Sequence, residues 1–174
     1  RRKNIPDQQV KKVGVLGAGM MGAGISYVSA MAGIEVILLD MKKEDAKKGK
    51  THAENLLNIG IKRKKITEEK KLTVLNLIKP TIEFTDLGEC DLIVEAVFED
   101  PTIKGEVTKK AEAVIGKDCI FATNTSTLPI TSLASASVRP EQFIGIHFFS
   151  PVDKMLLVEI IKGNATGEKA VAKP

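Results

Sequence analysis

Three polar residues late in the chain have the types that an alcohol oxidation needs. His147 stands in the apolar run Phe143–Phe149, Glu159 in the run Leu156–Ile161, and Ser126 closes Ala122-Thr123-Asn124-Thr125-Ser126. An imidazole with an ordinary pKa of about 6.5 can take a hydroxyl proton as hydride leaves the same carbon, and return it in reverse. A carboxylate on the other ring nitrogen fixes the tautomer and stabilises the imidazolium. A serine hydroxyl can hold the substrate oxygen. A satisfied core histidine would leave the same local pattern, so these residues alone keep both readings open. His52, within a lysine-rich segment, reads as exposed and inert.

Such chemistry needs a hydride acceptor, and the first forty residues supply a place for one. Val13-Gly14-Val15-Leu16-Gly17-Ala18-Gly19-Met20-Met21-Gly22 is followed by Ile34–Leu39 and then Asp40. This order reads as strand, glycine turn, helix, strand and acidic stop, the context in which G-x-G-x-x-G marks a dinucleotide site. Gly17 permits the tight turn, Gly19 lets backbone approach a pyrophosphate, and Gly22 lets the helix pack close to the strand. The free N–H groups of the helix start face the anion. Asp40 can accept hydrogen bonds from the ribose hydroxyls and would repel a 2′-phosphate. NAD is therefore favoured over NADP, although Lys42 and Lys43 could neutralise such a phosphate.

Alternating elements must position these groups. Strands are expected at Lys12–Leu16, Glu35–Leu39, Thr81–Phe84, Asp91–Val97, Ile120–Thr123, Phe143–Phe148 and Leu156–Ile161. Helices are expected at Gly19–Ala32, Lys42–Lys64, from Thr67 to before Pro80, Pro101–Ile115 and Pro129–Ala136. Thr67 is the expected N-cap of the third helical segment. The pattern implies an α/β fold, a Rossmann-type doubly wound, mostly parallel sheet with a helical insertion after the second strand. Ligands of such sheets bind beyond the carboxyl ends of the strands. Glu95, Glu99, Asn124 and His147 all fall at such ends, and a hairpin through Pro151 and Asp153 could bring Glu159 beside His147.

The 174 residues, 43% hydrophobic and 28% charged, suffice for one domain with a substantial core. No run reaches the roughly 18 apolar residues of a membrane span. Cys90 and Cys119 read as isolated buried thiols in a reducing compartment, and no metal site is expected. Tyr27 has Met31, not lysine, four positions on, which argues against a Tyr-Lys dehydrogenase mechanism. The net charge of +4 is concentrated at Lys42–Lys50 and Lys62–Lys71. With only 4% aromatic residues, base stacking has little support and no nucleic-acid partner is expected. The lysines suit a solvated helix face or attraction of a polyanionic substrate such as a coenzyme A thioester.

Four ordered motifs carry a family resemblance: the Gly17–Gly24 turn, Ile93-Val94-Glu95-Ala96-Val97-Phe98-Glu99-Asp100, Ala122–Ser126, and His147-Phe148-Phe149-Ser150-Pro151-Val152. Together they resemble the L-3-hydroxyacyl-CoA dehydrogenases, and His147–Met155 is most similar to the multifunctional mitochondrial branch. The resemblance covers Lys12 to Lys162. It implies NAD-dependent oxidation of L-3-hydroxyacyl-CoA to 3-ketoacyl-CoA in fatty-acid β-oxidation. It assigns His147 as catalytic base, Glu159 as its partner, and Ser126 to the substrate oxygen and nicotinamide. It assigns Met21, Asp40, Ala96, Val97, Glu99, Lys104 and Asn124 to the cofactor together with Gly17, Gly19 and Gly22. It also assigns a lysine of 62–65, with Lys64 preferred, to the coenzyme A portion. Ser150 stands where many members carry asparagine; serine is shorter, so a direct contact to the thioester side is expected to be lost or water-mediated.

The same resemblance implies residues 1–11 as a linker, 12–163 as the NAD-binding domain, and 164–174 as a tail leading to a helical C-terminal domain. An upstream enoyl-CoA hydratase domain, a homodimer or larger complex, and a mitochondrial matrix location with possible inner-membrane association of the parent complex follow from it too. The chain taken alone is expected to bind NAD and turn over poorly. Two other readings stay open on sequence: a short free β-hydroxyacid dehydrogenase, and a non-catalytic NAD-binding module.

Overall fold

Runs such as Val13–Leu16, Val36–Leu39 and Leu92–Val94 are apolar at every position, so they must be buried on both faces, as central parallel strands are. The computed structural model describes residues 10–125, 127–148 and 158–161. It contains strands β1 (Lys12–Leu16), β2 (Glu35–Leu39), β3 (Ile78–Thr81), β4 (Leu92–Glu95), β5 (Ile120–Asn124), β6 (Phe143–Phe148) and β7 (Val158–Ile161). The helices are α1 (Met20–Met31), α2 (Lys43–Lys62), α3 (Glu68–Leu77), α4 (Pro101–Glu112) and α5 (Ile130–Ala134).

The strands form one sheet in the order β3-β2-β1-β4-β5-β6-β7. The first six run parallel, and β7 is antiparallel to β6. The chain leaves β1 toward β2 and β3, then returns to place β4 on the other side of β1. That reversal opens a crevice between the carboxyl ends of β1 and β4. One face of the sheet buries Val15, Leu38, Val94 and Ile144 against Ile25 of α1, Leu57 of α2 and Val74 of α3. The other buries Leu16, Ile93 and Phe121 against Val107 of α4 and Leu133 of α5. On this second face Phe121 and Phe143 stack with ring centroids 5.3 Å apart.

The expected fold class holds, with differences at element ends. The third strand is Ile78–Thr81, not Thr81–Phe84. It lies at the sheet edge, where Pro80 needs no outward ladder partner. The Thr81 hydroxyl donates to Asp86 Oδ2 at 2.6 Å and accepts from Glu83 N at 3.1 Å, turning the chain into a short 3-10 segment. The strand expected over Asp91–Val97 is only Leu92–Glu95. Asp91 instead uses Oδ2 to accept from the N–H groups of Lys11 and Lys12, and Val97 N turns back to Glu95 Oε2. Helix α4 stops at Glu112 instead of running to Ile115. The Arg139 guanidinium donates to the carbonyls of Gly116, Glu112 and Ile115 there, satisfying orphan acceptors at the helix end.

Thr67 caps α3 as expected, its Oγ1 accepting from Lys70 N at 3.1 Å. Cys90 and Cys119 are buried thiols that are not joined in a disulfide, and burial pushes the Cys90 thiol up to about 12.

Candidate functional site

The crevice begins at the β1–α1 turn. Gly17 has φ +99°, and a Cβ there would lie 2.6 Å from the Ala96 carbonyl oxygen, so backbone of β1 and β4 meets with no room for a side chain. Gly22 is tighter still: a Cβ would fall 1.8 Å from the Gly17 oxygen. Gly19 is the opposite case, with nothing within 4 Å of an added Cβ. It is the N-cap of α1, no side chain caps the helix, and its first turn carries no acid. The open N–H groups and the space over Gly19 form an anion cradle.

Asp40 closes the far side of this cradle. Its Oδ2 accepts from Ala18 N at 2.8 Å and its Oδ1 from Met41 N at 2.7 Å, which fixes the carboxylate beside the turn. A cavity of about 330 Å³ lies here, lined by Ala18, Gly19, Met20, Asp40, Asp45, Lys48 and His52. The expectation that His52 is exposed is thus corrected: the residue is half-buried in the cavity wall. The reason is Gly49, whose missing Cβ lets α2 lie against Ala18 and Leu38, so its neighbours one turn away line the cavity.

The other half of the crevice is built on a buried ion pair. Glu95 is 0% and Lys104 1% exposed. Lys104 Nζ donates to Glu95 Oε2 at 2.7 Å and to the Asn124 carbonyl at 3.0 Å, with Glu99 Oε1 at 3.9 Å. Glu95 Oε1 accepts from Thr123 Oγ1 at 2.6 Å and Oε2 from Val97 N at 3.0 Å. Burial pushes the Glu95 carboxyl above its ordinary value, opposed by the Lys104 ammonium. Thr125 donates to Glu99 and accepts from Leu128 N at 3.0 Å. Lys104, expected at the cofactor, therefore sits beneath the crevice. Glu95, one of several polar residues at strand ends, is central; its signal in the sequence is a glutamate inside an apolar strand.

Asn124 Oδ1 at the end of β5 is buried and has no hydrogen-bond partner among the described residues. The uncapped α1, the space over Gly19 and this orphaned acceptor all fit a bound dinucleotide. Met21, Ala96 and Val97 are half-buried around the same edge.

On the far side, β6 and β7 pair with His147 directly opposite Glu159. Opposite positions of an antiparallel pair share a face of the sheet. His147 lies two residues beyond Gly145, which pairs with Thr123, which in turn pairs with Glu95. The alternation along β4, β5 and β6 puts these four positions on the face covered by α4. Ser126 and Ser150 lie outside the described residues.

Lys64 is exposed just past α2, and its φ of +57° is a left-handed conformation. Lys64 N donates to the Ile61 carbonyl and Lys65 N to the Gly60 carbonyl, the paired bonds of a helix stop that usually employs glycine. A larger cavity of about 640 Å³ lies toward the amino ends of the strands, among Lys12, Glu35, Lys79 and Asp86. Lys12 pairs there with Glu35 and Glu89, and Lys79 with Asp86. It is remote from the glycine turn and brings in none of the expected site residues.

Sheet order, glycine turn and acidic stop define a dinucleotide-binding Rossmann domain. Residues 12–174 match the family described as 3-hydroxyacyl-CoA dehydrogenase, NAD binding domain, and the chain belongs to that family. It is 44% identical over 163 residues to the fatty acid oxidation complex subunit alpha of Psychrobacter cryohalolentis, and 44% over 165 residues to that of Pseudomonas syringae pv. syringae. The matches cover 94% and 95% of this chain but only 23% of each relative, so the chain spans about a quarter of the length of those subunits. Among solved structures, (S)-3-hydroxybutyryl-CoA dehydrogenase from Ralstonia eutropha superposes with a TM-score of 0.90 at 36% identity, covering 93% of this chain and 57% of that one. The dehydrogenase part of multifunctional enzyme 1 from C. elegans gives 0.86 at 33% identity, covering 97% and 39%. One expectation, the mitochondrial matrix location, is overturned: the fatty acid oxidation subunits to which the chain is 44% identical come from bacteria such as Psychrobacter, Idiomarina and Pseudomonas, which have no mitochondria.

Proposed function

We propose that this domain serves the oxidation of L-3-hydroxyacyl-CoA to 3-ketoacyl-CoA in a larger polypeptide. The observation that carries the reading is the register pair His147–Glu159 at the carboxyl end of the sheet, across from the dinucleotide turn. NAD supplies the hydride acceptor. Gly17, Gly19, Met21 and Gly22 take the pyrophosphate at the start of α1, and Asp40 takes the adenosine ribose. Ala96, Val97, Glu99 and Asn124 border the nicotinamide end, with Lys104 beneath them. His147 removes the hydroxyl proton while Glu159 holds the imidazole in one tautomer and stabilises its cation. Ser126 holds the reacting oxygen, Ser150 borders the thioester, and Lys64 meets the coenzyme A phosphates.

Residues 12–163 form the NAD-binding domain in this reading, with 1–11 a linker and 164–174 leading to a helical domain that closes the crevice. An upstream enoyl-CoA hydratase domain and a dimer or larger complex complete it. The bacterial α subunits, several times longer than this chain, support that organisation. Calorimetric titration of the 174-residue chain with NADH, then with acetoacetyl-CoA, tests the reading. NADH binding followed by tighter ester binding supports it. NADH binding with no preference for the ester over free acetoacetate favours a free-acid dehydrogenase. In the parent polypeptide, His147→Ala should abolish turnover while NADH affinity stays within about twofold; unchanged turnover removes His147 from the mechanism.

A further inference from the structure

The buried pair of Glu95 and Lys104 is an unusual thing to find in a core. Two ionised groups without water are costly to hold, and an apolar pair of the same volume serves packing equally well or better. The pair joins three elements: Glu95 ends β4, Lys104 lies on α4, and Thr123 and Asn124 end β5. Each partner also reaches one backbone group at the crevice. Glu95 Oε2 holds Val97 N at 3.0 Å, fixing the chain as it leaves β4. Lys104 Nζ holds the Asn124 carbonyl at 3.0 Å, fixing the residue whose own Oδ1 has no partner among the described residues. Thr123, on the same face as Glu95 and in register with it, adds the bond at 2.6 Å. None of these groups approaches the Gly17–Gly22 turn or Asp40 as a hydrogen-bond partner, so the network addresses one half of the crevice.

We propose that Glu95 is a positioning residue for the nicotinamide half of the site: directly at Val97, and through Lys104 at Asn124, it sets the ends of β4 and β5 in the shape that receives the cofactor. This rests on the dinucleotide reading above. The adenosine half, built on Gly19 and Asp40, shares no hydrogen bond with the network and touches it only where Gly17 lies against the Ala96 carbonyl, and that separation makes the proposal testable.

The experiment compares NADH with ADP-ribose, which lacks the nicotinamide, by calorimetry on the 174-residue chain. The variants are Glu95→Gln, Glu95→Gln with Lys104→Met, and Thr123→Val, each checked by a thermal melt. NADH affinity should fall about tenfold or more in the first two and about threefold in Thr123→Val. ADP-ribose affinity should stay within about twofold throughout, and the fluorescence of bound NADH should shift toward that of free NADH. NADH affinity equal to the unmodified chain's in a folded variant overturns the proposal. So does a parallel loss of ADP-ribose affinity, which would mean a merely structural pair. If Glu95→Gln alone does not fold, the double variant decides, since it leaves no charge unpaired. If neither folds, Thr123→Val decides, since it keeps both charges and nearly the same volume. Failure of the unmodified chain to bind NADH would instead overturn the functional reading itself.

Discussion

Two helices start at the carboxyl edge of the same sheet, and they start in opposite ways. Helix α1 follows β1 with Gly19 as N-cap, no side-chain cap and no acid in its first turn. Helix α4 follows β4 with Asp100 as N-cap and Pro101 at its first position. Asp100 Oδ1 accepts from Thr102 N at 2.8 Å and Ile103 N at 3.1 Å, so two donors that α1 leaves open are closed in α4. Beneath α1 lie glycines in backbone contact; beneath α4 lies the Glu95–Lys104 pair. An N-terminus that is satisfied internally stabilises the helix, and one left unsatisfied is available to a ligand. The molecule keeps α4 as scaffold and α1 as receptor.

The largest effect should come from filling the contact under α1. Gly22→Ala puts a methyl 1.8 Å from the Gly17 oxygen, where only backbone can yield. A loss of about 3 kcal/mol or more in a urea melt is expected, with NADH binding lost as well. A melt within 1 kcal/mol of the original, roughly the range of an ordinary substitution, would show that the turn is looser than described.

Converting the α1 start into an α4-like start should separate stability from binding. Gly19 has φ −70° and open space, so aspartate fits without strain. Gly19→Asp should raise stability by about 0.5 kcal/mol through capping and the helix dipole, and weaken NADH binding about a hundredfold by occupying the anion cradle. Calorimetry and a melt on one sample check both signs.

The reverse change in α4 should do less. Asp100→Ala should cost about 1 kcal/mol of stability with NADH affinity nearly unchanged. A large loss of affinity would mean that α4, too, serves as receptor.

The smallest effect is expected at a helix end of the other polarity. Lys64→Gly relieves the left-handed backbone past α2 and should stabilise by about 1 kcal/mol at most. The same substitution should weaken acetoacetyl-CoA binding in the presence of NADH if Lys64 meets the coenzyme A phosphates. Unaltered ester affinity would move that role to another lysine of 62–65.

Much of this is legible in the residue pattern. The apolar runs of β1, β2 and β4 and the glycine spacing announced a doubly wound sheet, because a strand buried on both faces leaves no alternation to misread. Element ends were less legible. Nothing local announces that Asp91 spends its carboxylate on the amides of Lys11 and Lys12, or that Arg139, twenty-seven residues after Glu112, caps α4. His52 was misread because a lysine-rich helix looks solvated all round, while the face it turns inward depends on Gly49 packing against Ala18.

Residue spacing alone marks the turn where an anion can bind and the residue types that could move a proton. Glycines at fixed offsets permit only a few backbone paths, and a histidine carries its chemistry wherever it stands. Strand pairing and helix packing then bring particular groups together. The pairing of β6 with β7 set His147 opposite Glu159, and the approach of β4, α4 and β5 made a buried lysine and glutamate into one unit. Both depend on register between strands distant in sequence, and register is an energy balance over many packed side chains that no single segment contains.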